Sequence, residues 1–292
     1  MDKRKITQVI AAIATNSNIK GFFEGKIFKG NSKKICVPGL NCYSCPGAVG
    51  ACPIGSLQAV IGSAKFKFSF YIVGFLAMLG LFLGRFICGW LCLFGLIQEL
   101  LYKVPIKKIA VPEKTDHVLR YIKYIVLALF VIILPMVLCN EFGGSPPYFC
   151  QFICPAGMLE GGIPLVLMNK GLRSAAGFLF AWKFFILVLV IIASMMIYRP
   201  FCKYICPLGA FYGLFNKVSF VRLHLDENKC INCKKCSKAC NMQVEVYKNP
   251  NSAECIRCGE CAKVCQTNAL HLGIGSKNED VVMKCSARNK SK

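Results

Sequence analysis

Apolar residues in this chain are gathered into long runs separated by short polar or basic segments. Three runs reach membrane-crossing length, about 20 residues for one hydrocarbon core: residues 66–83, 121–138 and 175–198. Each is rich in Ile, Leu, Val and Phe and carries at most a basic residue near one end, where its stem can snorkel. An earlier run, residues 6–23, is interrupted by Asn16, Ser17, Asn18 and Lys20. Its pattern leaves open whether it spans, dips in or lies along the interface. The expected fold is mainly α: a bundle of three or four transmembrane helices with Cys-bearing loops that re-enter it. Such loops must be packed inside the bundle, because irregular backbone at membrane depth needs protein or water to satisfy it.

Composition agrees. Hydrophobic residues make up 55% of 292 positions and the mean hydropathy is +0.51, too apolar for a soluble protein with a wet surface. No cleavable signal is expected, since the first apolar run has neither a clean apolar core nor a small-residue cleavage site. The net charge of +22 reads as membrane topology plus a basic C-terminal domain, with anionic lipid headgroups or an acidic redox partner as counterpart. A nucleic-acid partner is not expected, because no basic stripe with interleaved aromatics lies outside the apolar region. Seven basic residues fall between Arg85 and Lys123 and four between Arg199 and Arg222, whereas residues 140–148 carry none. Lys20, Lys26, Lys29, Lys33, Lys34, Lys65, Lys67, Lys170 and Arg173 weigh the other way, nine against eleven. The positive-inside rule then puts the C-terminus in the cytoplasm, and the margin widens if residues 6–23 span and Lys3, Arg4 and Lys5 count as inside.

The candidate chemistry lies in the cysteines, eighteen of twenty of which sit in ligand-spaced groups. Cys230, Cys233, Cys236 and Cys240 are followed at the same spacing by Cys255, Cys258, Cys261 and Cys265, the ligand pattern of a two-cluster ferredoxin. Three cysteines wrap one cubane and the fourth reaches across to the other cluster. Cluster one is expected on Cys230, Cys233, Cys236 and Cys265, and cluster two on Cys255, Cys258, Cys261 and Cys240. Asn241 and Gln266 replace the usual following proline, which alters turn stiffness and not ligand count. A zinc ribbon also uses Cys-x2-Cys pairs, but two complete four-cysteine runs in tandem favour iron-sulfur clusters. Clustered cysteines in a long chain argue against a disulfide framework and for a reducing compartment.

A second signal is a unit that recurs between the apolar runs: CPIGSLQ at Cys52, CLFGLIQ at Cys92, CPAGMLE at Cys154 and CPLGAFY at Cys206. In the last three a second cysteine lies four residues upstream, at Cys88, Cys150 and Cys202; in the first the counterpart is Cys45, displaced by three residues. Proline after cysteine makes Cys52, Cys154 and Cys206 helix N-caps, with the positive end of the helix dipole facing the thiolate. Leu93 stands where proline is expected, so Cys88 and Cys92 can instead share one face of a continuous helix. One span between successive units puts the first and third on one side and the second and fourth on the other. Cys88, Cys92, Cys202 and Cys206 then form an inner-side centre. On the outer side Cys150 and Cys154 meet Cys45 and Cys52, with Cys36 and Cys42 as additional ligands, or the N-terminal four close a cluster alone. Spacing does not choose between these. Cys139 and Cys285 read as small hydrophobes without a role.

The segments RFICGWLCLFG at Arg85 and CKYICPLGAFYGLF at Cys202, with the ferredoxin pair after them, resemble the NapH, NosR and CcoG type of membrane-bound polyferredoxins. The resemblance covers most of the chain, from about the second apolar run to Leu272. It implies a four-span bundle, cytoplasmic [4Fe-4S] clusters and electron transfer between quinol or cytoplasmic donors and extracytoplasmic reductases or flavoproteins. Leu93, the NCYSCPGAVGACPIG element at Asn41 and the lack of a large flavin-binding domain depart from the pattern. The expected organisation is an N-terminal Cys-rich segment (1–65), a transmembrane core (66–222), a two-cluster ferredoxin domain (223–272) and a tail (273–292). The leading functional reading is an electron conduit with two ferredoxin clusters and one or two further iron-sulfur centres. Its alternatives are a quinol dehydrogenase anchor using only the cytoplasmic clusters and a metal-reducing maturation factor of CcoG type. Gln98, Glu99 and Glu160 are quinone-site candidates, although residues at helix ends facing headgroups are the favoured reading of all three. Haem is not expected: Cys-x2-Cys-His is absent, and His117, His224 and His271 lie outside the apolar runs.

Overall fold

The structure, a computed structural model, describes residues 3–63, 69–138, 145–275 and 281–282. Cys139, Cys285 and the start of the 66–83 run lie outside the described residues. The chain divides into two compact units. The first comprises Met1–Ala77 and Trp90–Phe211, the second Met78–Gly89 and Tyr212–Lys292.

The first unit is helical. Helix α1 (Lys3–Thr15) buries Arg4 and Gln8 while Ile6, Val9, Ile10 and Ile13 face outward. That arrangement inverts the pattern of a helix in water. The helix stops at Asn16–Asn18, where the Asn16 amide donates to Ala12 O (3.1 Å) and Asn18 to Pro46 O (2.8 Å). Helix α2 (Ile19–Glu24) follows, so residues 6–23 form two helices broken at the polar cluster. Gly21 crosses the Pro46 carbonyl so closely that an added Cβ would lie 2.2 Å from its oxygen.

Helix α3 (Pro53–Gly62) starts at Cys52, and α4 (Phe70–Leu83) carries the chain toward the short α5 (Phe86–Trp90) and then α6 (Leu93–Tyr102). Helix α7 (Glu113–Val137) is long and apolar enough to cross a membrane. Its middle loosens into a wide turn at Leu127–Ile133 just before Pro135, which lacks the N–H that would continue the helical ladder. Helices α8 (Tyr148–Phe152), α9 (Pro155–Met168) and α10 (Lys170–Ser174) precede α11 (Phe178–Met196), the second helix of spanning length. At about 1.5 Å per residue α11 is roughly 28 Å long, close to a hydrocarbon core. Its Phe178, Trp182, Phe185, Leu189 and Ile192 face outward, whereas Leu187, Val190 and Ser194 are buried. Helix α12 (Pro200–Tyr204) and α13 (Pro207–Phe215) close the helical run.

In the second unit, β1 (Val221–Leu225) pairs antiparallel with β2 (Leu270–Ile274), stacking His224 on His271 at 5.3 Å. Strand β3 (Val281–Val282) pairs with β2. Between β1 and β2 lie the two four-cysteine runs, each with one short helix, α14 (Lys235–Lys238) and α15 (Glu260–Lys263). The second run is anchored by buried polar side chains. Arg85 pairs with Glu254 (2.9 Å); Arg257 donates to Leu83 O, Asn216 O and Ser219 Oγ (2.9, 2.7 and 2.7 Å); Asn216 donates to Ser252 O and Cys255 O (2.7 and 2.8 Å). Such a network is firm because every broken bond would leave a buried polar group unpaired.

Candidate metal centres

The two cysteine runs of the second unit are built alike, although their sequences differ. Positive φ falls two residues after the first cysteine (Asn232, Arg257), four after it (Lys234, Gly259) and three after the last (Gln243, Asn268). Left-handed residues of this kind turn successive backbone N–H groups inward to make an anion-binding concavity. Side chains other than glycine at five of the six positions accept strain there. Burial pushes the Cys261 thiol up, and the nearby Cys255, Cys258 and Cys240 add like-charge repulsion. Cys255, raised to about 11 by burial, also feels Cys258 and Cys240. Cys240 of the first run is thus grouped with the second. Cys230 and Cys236 are half-buried and Cys233 is exposed, amid exposed Lys229, Lys234, Lys235 and Lys238.

In the first unit one cavity of about 770 Å³ is lined by Cys42, Cys52, Cys150 and Cys154, with Gly55, Gly157, Lys183 and apolar side chains around them. Burial foremost, with Glu160 beside Cys42 and repulsion from neighbouring thiols adding to it, raises Cys42 to about 12, Cys52 to about 11 and Cys150 to about 12. Burial and mutual repulsion thus favour the neutral thiols here, and a positive centre placed among the four would favour the thiolates instead. An added Cβ at Gly157 would enter the same space, 3.7 Å from Cys42 Sγ and 3.9 Å from Cys154 Sγ. Among the described residues no three Cys, His, Asp or Glu side chains converge on a single ion.

The thiol set differs from the expectation at one place. Cys42 lines the cavity and Cys45 does not. The turn that brings Cys45 N to Cys42 O (3.1 Å) sends the Cys45 thiol toward Asn16 Oδ1 (3.6 Å) instead. Cys36 lies beside Ser56 Oγ (3.5 Å), its strand-like backbone paired with Ala51. The Cys42 backbone is fixed by Glu160, whose carboxylate accepts its N–H at 2.6 Å.

Cys92, Cys202 and Cys206 belong to the same unit and repeat this construction. Cys92 is extended (φ −78°, ψ 117°) and caps α6, as Cys52 caps α3 and Cys154 caps α9. Leu93 therefore does not fuse α5 and α6 into the continuous helix considered above. The backbone N–H groups of Ile153 and Cys154 both reach Phe149 O (3.0 and 2.9 Å), and those of Ile205 and Cys206 both reach Phe201 O (2.9 Å each). Cys88 lies on α5, in the second unit.

Charges around the second thiol group are buried and paired. Glu99 binds Arg4 (2.7 Å), Arg199 (2.8 Å) and the Tyr198 hydroxyl. Burial alone would raise the Glu99 carboxyl, but Arg199, Arg4 and Tyr198 outweigh it and hold it low. Asp116 takes Lys203 and the Tyr204 hydroxyl, each at 2.5 Å. Gln98, Glu99 and Glu160 are all buried and engaged inside the unit, which corrects their reading as headgroup-facing residues. Sequence reasoning overlooked Gln58 and Arg199; the Gln or Glu six residues after Cys52, Cys92 and Cys154 was the available sign of the first.

Comparison with known proteins now adds to this geometry. A 4Fe-4S binding domain model matches residues 50–71, 68–112 and 178–225, and a second 4Fe-4S binding domain model matches 249–271. The uncharacterized protein MJ0750 of Methanocaldococcus jannaschii is 31% identical over 187 residues, 61% of this chain and 68% of its own length. MJ0749 of the same organism is 30% identical over 201 residues, 67% of each chain. The chain belongs to their family. The ferredoxin-type protein NapH of Haemophilus influenzae is more distant, 26% identical over 61% of this chain and 54% of its own length. No solved structure matches. The family's 4Fe-4S segments include three of the four recurring Cys units and the second ferredoxin run, and the apolar helices agree with a membrane location.

Proposed function

We propose that this chain is a membrane-embedded iron-sulfur conduit, with two ferredoxin-type clusters in its second unit and a further Cys-ligated centre at each end of its helical unit. Cys230, Cys233, Cys236 and Cys265 hold one ferredoxin cluster; Cys255, Cys258, Cys261 and Cys240 hold the other. Cys42, Cys52, Cys150 and Cys154 hold the outer centre. Cys92, Cys202 and Cys206 contribute to the inner one. Bound [4Fe-4S] clusters supply one-electron redox steps without proton chemistry.

The observation that carries this reading is the pair of thiol groups at opposite ends of α1. Its first turn holds Arg4 against Glu99, which also binds Arg199 beside Cys92 and Cys202. Its last turn meets the Cys42–Cys52 segment through Thr15 O and Val49 N, and Asn16 beyond it meets Cys45. Twelve residues of helix separate these ends by roughly 18 Å. Apolar residues outward and Arg4 and Gln8 inward suit a hydrocarbon surround. We place α4, α7 and α11 across the inner membrane, with the Arg199 end and the C-terminus cytoplasmic by the basic-residue excess. Exposed lysines around Cys233 favour an acidic soluble redox partner on that side. An extracytoplasmic redox protein, a flavoprotein by the resemblance, exchanges electrons at the other, and quinol is a further donor by the same resemblance.

Iron and acid-labile sulfide in the anaerobically purified protein test the ligand sets. About sixteen iron atoms per chain are expected, with about four fewer in Cys150→Ser and in Cys202→Ser. About eight, unchanged in both variants, would confine the clusters to the ferredoxin unit.

A further inference from the structure

Gln58 and Gln98 stand six residues after the capping cysteines of α3 and α6, and each is 1% exposed. Their hydrogen bonds are the same. Gln58 donates through Nε2 to Ile54 O (3.2 Å) and Cys150 Sγ (3.3 Å), and its Oε1 accepts from Phe149 N (2.9 Å). Gln98 donates to Phe94 O (3.3 Å) and Cys202 Sγ (3.0 Å), and its Oε1 accepts from Phe201 N (3.2 Å). In both cases the thiol belongs to the other Cys unit of the pair, 92 or 104 residues along the chain.

This geometry does more than fill space. An accepting Oε1 and a donation to the carbonyl one turn back fix the plane of the carboxamide, leaving its second N–H aimed at sulfur. A neutral donor on a cysteinate ligand stabilises the state with more negative charge, which for an iron-sulfur centre is the reduced one. We infer that Gln58 and Gln98 are paired positioning residues, each raising the reduction potential of one non-ferredoxin centre through an N–H···S bond to Cys150 or Cys202. A leucine or methionine would fill the same volume and supply no donor. The duplication matters because equivalent donors on both centres bring their potentials together, and charge then passes between the two layers with little uphill step.

The inference rests on the additional centres proposed above, so the test separates the two. Redox titration followed by electron paramagnetic resonance is run on wild type, Gln58→Met and Gln98→Met, with the signals assigned by their loss in Cys150→Ser and Cys202→Ser. Each methionine variant is expected to keep its iron and to shift only its own centre to lower potential. The reduced-to-oxidised ratio at fixed potential should fall about tenfold, which is about 59 mV for one electron. Full iron content with unmoved potentials would overturn the role of the glutamines and leave the centres standing. Wild type with only two cubanes' worth of iron would instead remove the centres themselves. If a methionine variant fails to assemble its centre, wild type grown with glutamine carrying ¹⁵N in its carboxamide decides. Hyperfine coupling of that nitrogen to the reduced centres supports the bond, and its absence refutes it.

Discussion

Cys42 and Cys45 are three residues apart in one turn and meet different surroundings, Cys42 in the cavity with Cys52, Cys150 and Cys154, Cys45 against Asn16. Replacing Cys42 with serine is expected to cost the outer centre about four iron atoms, whereas Cys45→Ser keeps full iron; metal analysis of the two proteins side by side reads the difference. Spacing alone pointed to Cys45, because counting back from Cys52 says nothing about the turn that decides which thiol faces inward. The same limit applies to Gln98, Glu99 and Glu160. Their residue types signalled polar groups near an apolar region, but their partners are Cys202 and Phe201, Arg4 and Arg199, and the Cys42 N–H. Those partners lie far along the chain, so only the fold brings them within reach. The eight ferredoxin cysteines are legible without it, because their chemistry is encoded in local intervals.

Helices were legible where apolar runs are long and less so where tertiary contacts extend or divide them. Helix α7 begins at Glu113, eight residues before the apolar run, because Asp116 is held by Lys203 and Tyr204 of α12. The break after α1 was marked in sequence by Asn16, Ser17 and Asn18, residues whose side chains compete for backbone bonds. At Cys92 the local rule was ambiguous and the structure decides for a helix start, with Leu93 in the first position. Since that position has no helical N–H bond to lose and Cys92 is already extended, Leu93→Pro is compatible with the backbone. Its thermal midpoint in detergent should correspond to a change of less than about 1 kcal/mol, with iron content retained. A collapse of stability on the order of 3 kcal/mol, the cost of proline inside a helix, would mean that α5 and α6 are continuous.

For the whole molecule, two thiol groups built on the same capping geometry and the same glutamine contacts, set at opposite ends of α1, give a reason for four Cys units where an anchor would need none. The membrane around them is inferred from faces as well as composition: α1 and α11 turn Ile, Phe, Trp and Leu outward and keep Arg4, Gln8 and Ser194 inside. Passage of electrons between the two layers is the central claim, and it is open to direct measurement. Purified protein is reconstituted anaerobically into sealed vesicles loaded with ferricyanide, and titanium(III) citrate, which does not cross the bilayer, is added outside. Bleaching of the trapped ferricyanide is expected with wild type and is expected to be lost in Cys150→Ser and in Cys202→Ser, both with intact ferredoxin clusters. Bleaching at the wild-type rate in both serine variants, or none in wild type, would contradict the account.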